Sequence, residues 1–289
     1  MSTHIWRCGR YQLPLGRKTY VMGILNVTPD SFSGDGVQNP DDVMRRAETM
    51  IHDGADILDI GGESTRPGAD KVSVEEELQR VVPVIEQLST RFDVPLSVDT
   101  TKSVVAREAI NAGAAIINDI SGATFDAQML PAIAPTNCGM VLMHLRGTPQ
   151  TMEWSNSIQN SKFKNQNSDV ISEILEFWRE RVGAARDLNV ADERIALDAG
   201  FGFGKSVEEN LEILRRGREL SDFGFPTLSA TSRKSTIGKV LGDLPIEERI
   251  WGTAATVALA IANGADMVRV HDVQEMSHVA RLTDAITRN

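Results

Sequence analysis

Residues 96–121 read LSVDTTKSVVAREAINAGAAIINDIS, a complete strand, helix and strand in one short stretch. LSVDT and IINDIS are short, apolar and β-rich. Between them VVAREAINAG has the patterning of an amphipathic helix, stopped by Gly113. Two nearly continuous apolar strands flanking a helix imply parallel strands, buried on both faces and joined by a right-handed crossover. The same unit recurs in both directions along the chain. Before it come VMGILN at 21–26 and ILDIGG at 57–62; after it come MVLMHL at 140–145, IALDAG at 195–200, TLSATSR at 227–233 and MVRVHD at 267–272. Amphipathic runs at 74–88 and 170–188 lie between strands, and Gly54 and Gly264 supply further helix stops.

Eight such units in 289 residues, without a linker, fit a closed barrel better than an open doubly wound sheet. The expectation is a single-domain α/β fold, a (β/α)8 TIM barrel spanning 19–289. Residues 1–18, with Gly9 and Pro14, are expected to form a short hairpin beneath it. Segment 153–168, EWSNSIQNSKFKNQNS, reads as an extended surface loop after the fifth barrel strand.

Composition narrows the partners. With 41% hydrophobic residues the chain can bury a large core, and with 40 acidic against 30 basic side chains it carries a net charge of -10. That balance argues against a general nucleic-acid or anionic-membrane surface, which needs a positive field. Cys8 and Cys138 form neither a C-x-x-C pair nor a disulfide framework, which suits a reducing compartment. No apolar leader stands in MSTHIWRCGR, and the Ala254–Ala262 run is too short and alanine-rich to span a bilayer. A cytoplasmic protein is expected.

In a barrel of this type chemistry sits at the C-terminal ends of the strands. Polar residues collect there on every one: Asn26; Asp59 and Glu63; Asp99; Asn118 and Asp119; His144; Asp198; Ser232, Arg233 and Lys234; Arg269 and His271. Any one of them alone, Asp99 or Asp119 for instance, is explained as a cap before a helix. The whole set is not, because buried polar groups need partners. It divides by chemistry. Asp99, Asn118, Asp198 and Lys234 combine acceptors, an amide and a cation suited to a flat heterocycle with amino, N–H and carbonyl groups. Arg269, His271, Asn26 and the Ser64-Thr65-Arg66 loop supply donors suited to phosphate oxygens. Arg269 and His271, two apart on one strand, are expected to share a face.

The stretch AGFGFGKS at 199–206 misses a P-loop at Ala199 and a dinucleotide fingerprint at Lys205. Its glycines are expected to let backbone pass close under a flat ligand. His4, His52 and His278 are scattered, so no zinc site is expected.

At these strand ends the sequence resembles the dihydropteroate synthase family of folate biosynthesis, along nearly its whole length. MGILNVTPDSFSGDG at 22–36, DIGGESTRPGA at 59–69, SVDTTK at 97–102, NDISG at 118–122, LMHLRGTPQTM at 142–152, LDAGFGFGK at 197–205, SRKSTIG at 232–238 and VRVHDV at 268–273 carry the likeness. The resemblance implies a (β/α)8 barrel, usually a homodimer, that joins 6-hydroxymethyl-7,8-dihydropterin diphosphate to 4-aminobenzoate and releases diphosphate. It implies that Asp99, Asn118, Asp198 and Lys234 hold the pterin, with Met143 and Phe203 lining its slot. Asn26, Arg269 and His271 would contact diphosphate, Asn26 also holding Mg2+. Thr65, Arg66, Pro67 and Ser232 would face the aminobenzoate, and the loops at 27–38 and 62–72 would close over the reaction. Three positions depart from the family pattern: Ala199 replaces a proline, with a small expected effect; Asp35 is displaced by one in the first loop; and Ala230 replaces a glycine, its methyl crowding the slot. Two other readings belong to the same resemblance, a corrinoid-linked methyltetrahydrofolate methyltransferase and a non-catalytic pterin-binding paralogue.

Overall fold

A computed structural model describes residues 5–27, 40–64, 71–148 and 169–288. A two-stranded antiparallel hairpin, β1 (Ile5–Cys8) and β2 (Tyr11–Pro14), comes first. The barrel follows: β3 (Tyr20–Asn26), β4 (Ile57–Gly61), β5 (Leu96–Asp99), β6 (Ile116–Asp119), β7 (Gly139–Met143), β8 (Ile195–Asp198), β9 (Thr227–Ser229) and β10 (Met267–Val270). These eight strands are parallel in chain order, and β10 closes on β3 with Met267 opposite Tyr20 and Val270 opposite Gly23. Every strand read from the sequence is present, and the closed barrel is the one expected.

Local chemistry fixes the helices between them. Ser73 caps helix Val74–Arg91 by accepting from the Glu76 N–H, and three glutamates fill that helix's first turn, where they meet the positive end of the dipole. Ser206 and Glu209 cap helix Val207–Arg215 reciprocally. Gly113, at φ +117°, ends helix Ser103–Ala112 in the left-handed conformation. Among the described residues no helix is long and apolar enough to cross a membrane.

Strand alternation produces two cores. Leu58, Val98, Ile117, Leu142, Leu197 and Val268 pack outward against helix residues such as Ile85, Phe177, Trp178 and Val257. Met22, Ile57, Ile116, Val141, Ala196, Leu228 and Met267 fill the lumen together with Trp6 and Cys8 of the hairpin. The hairpin therefore plugs the N-terminal end of the barrel. Trp6 is fully buried, and its indole N–H is satisfied by the Arg194 carbonyl at 3.1 Å.

Candidate active site

Period-two alternation carries the lumen-facing parity on to the opposite end. From Met22 it reaches Asn26, and from Ile57 it reaches Asp59. Ile116 leads to Asn118, Val141 to Met143, Ala196 to Asp198, and Met267 to Arg269. The polar residues read from the sequence are thus brought to one mouth, two residues or more above an apolar lumen.

Their contacts differ from the sequence reading in one respect. Arg269, read with His271 as an anion donor, is also tied to protein carboxylates: its Nε donates to Asp59 Oδ2 at 2.6 Å and its Nη2 to Asp99 Oδ2 at 2.7 Å. Asn118 Nδ2 donates to the same Asp59 oxygen at 3.1 Å. Because an ionised carboxylate only accepts, Asp59 turns the Asn118 amide so that its oxygen is left for a ligand. Asp59 is fully buried. Sequence reasoning placed it at a strand end but gave it no role, and the pairing that reveals the role spans 210 residues.

Burial, with repulsion from Asp59 and Glu77, pushes Asp99 up to about 7 against the pull of Arg269. Folding favours its neutral form, so the stability it contributes is complete below about pH 4 and is lost as pH rises through about 7. Urea unfolding between pH 5 and 8 is expected to show the wild type losing up to about 1.4 kcal/mol per pH unit from this group. Asp99→Asn should lack that slope; an unaltered slope would place the titration elsewhere.

Asp198 is buried and its Oδ1 accepts the Gly200 N–H at 2.7 Å, which leaves its other oxygen for a ligand. Burial raises its pKa, against that hydrogen bond and the cations Lys234 and Lys205. Lys234 Nζ lies 3.8 Å from the centre of the Phe203 ring, a cation–π contact. Burial and the neighbouring Arg269 push Lys234 down to about 7. Phe203 packs with Met143 and Ile120 in a small apolar cluster, so the two residues proposed to line a slot do meet. Ala199, where the resemblance implies a proline, packs half-buried against the outer core.

The turn 232–234 is held in an uncommon conformation. Arg233 has φ +56°, and it is fixed by a two-point ion pair to Asp272 and by its N–H on Thr253 Oγ1. Ser232 Oγ lies 3.0 Å from His271 Nδ1 and also accepts the His271 N–H at 3.2 Å, joining the ends of β9 and β10.

Two residues read as part of the mouth lie elsewhere, for one reason. His144 and Asp119 have the outward parity of Leu142 and Ile117. His144 is 1% exposed, packs edge-on against Phe177 and sits 3.4 Å from Glu173. Asp119 instead caps its own turn, accepting from the Ser121 and Ala123 N–H groups, so the capping role holds for it. The glycines of 199–205 divide by what they meet. Gly200 and Gly204, both at φ +65°, press against protein backbone, where a Cβ would fall 1.9 Å from the His144 oxygen and 2.2 Å from the Arg146 oxygen, whereas a Cβ on Gly202 would meet the Lys234 side chain at 3.0 Å.

Thr65, Arg66, Pro67 and Asp35 lie outside the described residues, as do the first loop and segment 153–168. The base of the second loop is described. Glu63 accepts the Val72 N–H at 3.1 Å, and Lys102 bridges Glu63 and the buried Glu77.

The Mg2+ expectation rests on Asn26. Its Oδ1 stands 3.2 Å from where a Cβ on Gly61 would be. No group of three or more His, Cys, Asp or Glu side chains among the described residues is arranged to hold a metal. One neutral amide oxygen suits an ion that keeps waters and arrives on substrate phosphates, as Mg2+ does, better than a permanently caged one.

A parallel eight-strand barrel with carboxylates, an amide and cations gathered at its C-terminal mouth is the setting of a pterin site, and the chain belongs to the pterin-binding enzyme family, matching its model over residues 22–271. Its relatives in that family include dihydropteroate synthases. The Synechocystis sp. enzyme is 48% identical over 274 residues, covering 94% of this chain and 92% of its own. Among solved structures, Burkholderia cenocepacia dihydropteroate synthase complexed with 7,8-dihydropteroate superposes with a TM-score of 0.85 at 41% identity, covering 98% of this chain and 96% of that one. Xanthomonas albilineans dihydropteroate synthase with 4-aminobenzoic acid gives 0.86 at 37% identity, covering 99% and 98%.

Proposed function

We propose that this barrel is a transferase of folate biosynthesis that condenses 6-hydroxymethyl-7,8-dihydropterin diphosphate with 4-aminobenzoate, yielding 7,8-dihydropteroate and diphosphate. The observation that carries the reading is the convergence of Asp99, Asn118, Asp198, Lys234 and Arg269 on one mouth above the Met143, Ile120 and Phe203 cluster. The ligands named for the two solved relatives support it.

In this reading the pterin lies flat on Phe203. The Asn118 oxygen and the second Asp198 oxygen accept its N–H groups, and Lys234 donates to its carbonyl. The C–O bond to diphosphate breaks with its electron pair on the leaving oxygen. The methylene centre, fed by the electron-rich reduced ring, is cationic before the aniline nitrogen attacks it with its lone pair and gives up its proton to water. Asp99 and Asp198 stabilise that charge, and Arg269 and His271 meet the departing anion. Asn26 would be the protein ligand of a Mg2+ ion, which would supply further neutralisation of the leaving group when bound. Ser232 faces aminobenzoate; its contact with His271 supports adjoining subsites, as direct C–N bond formation requires.

Formation of 7,8-dihydropteroate, with one diphosphate released for each product, should require both the pterin diphosphate and added 4-aminobenzoate. Binding of the pterin without any release would favour the non-catalytic paralogue, and methyl transfer from a methyltetrahydrofolate would favour the methyltransferase.

The working unit is proposed to be a homodimer in the cytoplasm. Helices Ile250–Ala262 and Val273–Thr287 pack side by side and expose Trp251 (81%), Leu282 (66%) and Ile286 (70%), large apolar groups more typical of an interface than of a free surface. Trp251→Asp combined with Leu282→Asp is expected to give a monomer in sedimentation velocity; an unchanged dimer would move the interface to another face.

A further inference from the structure

The glycine-rich segment ends on a lysine that the proposed chemistry leaves unused. Lys205 is 1% exposed, and its Nζ donates to three backbone carbonyls: Gly200 at 2.9 Å, His144 at 3.2 Å and Phe203 at 3.2 Å. An ammonium has three donors and no acceptor, so these carbonyls use its whole capacity. Of the carboxylates that attract it, Glu173, Asp198 and Glu209, the first and last are bonded to Arg146, which itself repels Lys205. Burying a cation on backbone dipoles is unfavourable, and burial pushes this amine down to about 7. A methionine or leucine would fill the space at lower cost, so the charge has a task.

The three carbonyls define it. His144 belongs to the end of β7, whereas Gly200 and Phe203 belong to the loop after β8. Gly200 also holds Asp198 Oδ1 through its N–H, and Phe203 carries the ring beneath Lys234. The left-handed glycines let the loop wrap round the ammonium while touching the His144 and Arg146 carbonyls.

We propose that Lys205 is a positioning residue for the pterin slot: by tying the 200–203 backbone to the end of β7 it sets the orientation of Asp198 and the height of the Phe203 ring. This rests on the reading of the mouth as a pterin site.

Lys205→Met keeps the bulk and removes the donors. Two measurements test it. Amide exchange of Gly200 and Gly202, which needs no ligand, is expected to quicken about tenfold or more as the tie is lost. Titration calorimetry is expected to show about tenfold weaker binding of the pterin diphosphate, about 1.4 kcal/mol, with the KM for 4-aminobenzoate within about twofold of wild type. Exchange and pterin affinity both near wild type in a folded variant overturn the proposal, as do equal losses for the two substrates. If the methionine variant does not fold, Lys205→Gln, which retains two N–H donors, is expected to give intermediate changes and is judged by the same criteria. A wild type that binds no pterin defeats the functional reading, while the exchange comparison still decides on the tie.

Discussion

Replacing Arg269 with alanine is expected to lower folding stability by about 3–5 kcal/mol, the usual cost of leaving buried carboxylates without their cation. Asp59 is fully buried and Asp99 nearly so, and both give an oxygen to this one guanidinium at 2.6 and 2.7 Å. Asp59 Oδ1 already has no hydrogen-bond partner among the described residues, so water or a ligand must serve it too. Urea unfolding measures the loss. Without Arg269 the folded-state pKa of Asp99 rises further, and the neutral acid is tolerated there; the deficit should therefore shrink as pH falls from 8 to 5. Adding Asp59→Asn should recover part of the stability, because the second change removes one orphaned charge. Additive losses in that double variant would show that the guanidinium does not neutralise Asp59. The sequence alone suggested that Arg269 acts only on a ligand's diphosphate. With its ion pairs in view, Arg269→Ala is expected to weaken the unphosphorylated hydroxymethyl pterin as well as its diphosphate ester. A loss confined to the ester would restore the simpler role.

Asp198→Asn is expected to weaken pterin diphosphate binding by about 2–4 kcal/mol, the range for a buried, charge-assisted hydrogen bond whose loss leaves ligand donors unpaired. The backbone should be spared. Asp198 contributes its main-chain carbonyl to the His144 N–H and the Trp178 indole, and neither bond depends on the side chain. An asparagine can keep its oxygen on Gly200, and it then presents an NH2 group where the ligand also donates. Titration calorimetry with the folded variant decides the matter, and unchanged affinity would remove Asp198 from the slot.

The barrel was legible because each strand is a short apolar run closed by polar or glycine residues, and the number and spacing of the runs admit few topologies. The polar strand-end residues were legible as a group for the same reason. What failed was parity. The rule that neighbours on a strand point opposite ways, applied only to Arg269 and His271, would also have moved His144 and Asp119 out of the mouth, since Met143 and Asn118 occupy the inward positions beside them. Contacts across the lumen were beyond reach. Nothing local in ILDIG announces that Asp59 will meet Arg269 and Asn118, because closure of the sheet brings them together. Lys205 failed differently: judged against nucleotide motifs, it counted only as a mismatch, whereas its partners are carbonyls that any sequence has.

The glycine loop has a bearing on how inhibitors of such a site would fare under selection. At Gly200 and Gly204 any side chain would have to occupy space already held by a neighbouring carbonyl, at 1.9 and 2.2 Å. Each position also has a left-handed backbone that other residues adopt at a cost. A compound that draws its affinity from the main chain of this loop therefore grips a surface that single-codon change cannot remodel without damaging the fold, and resistance would have to arise from residues elsewhere around the mouth.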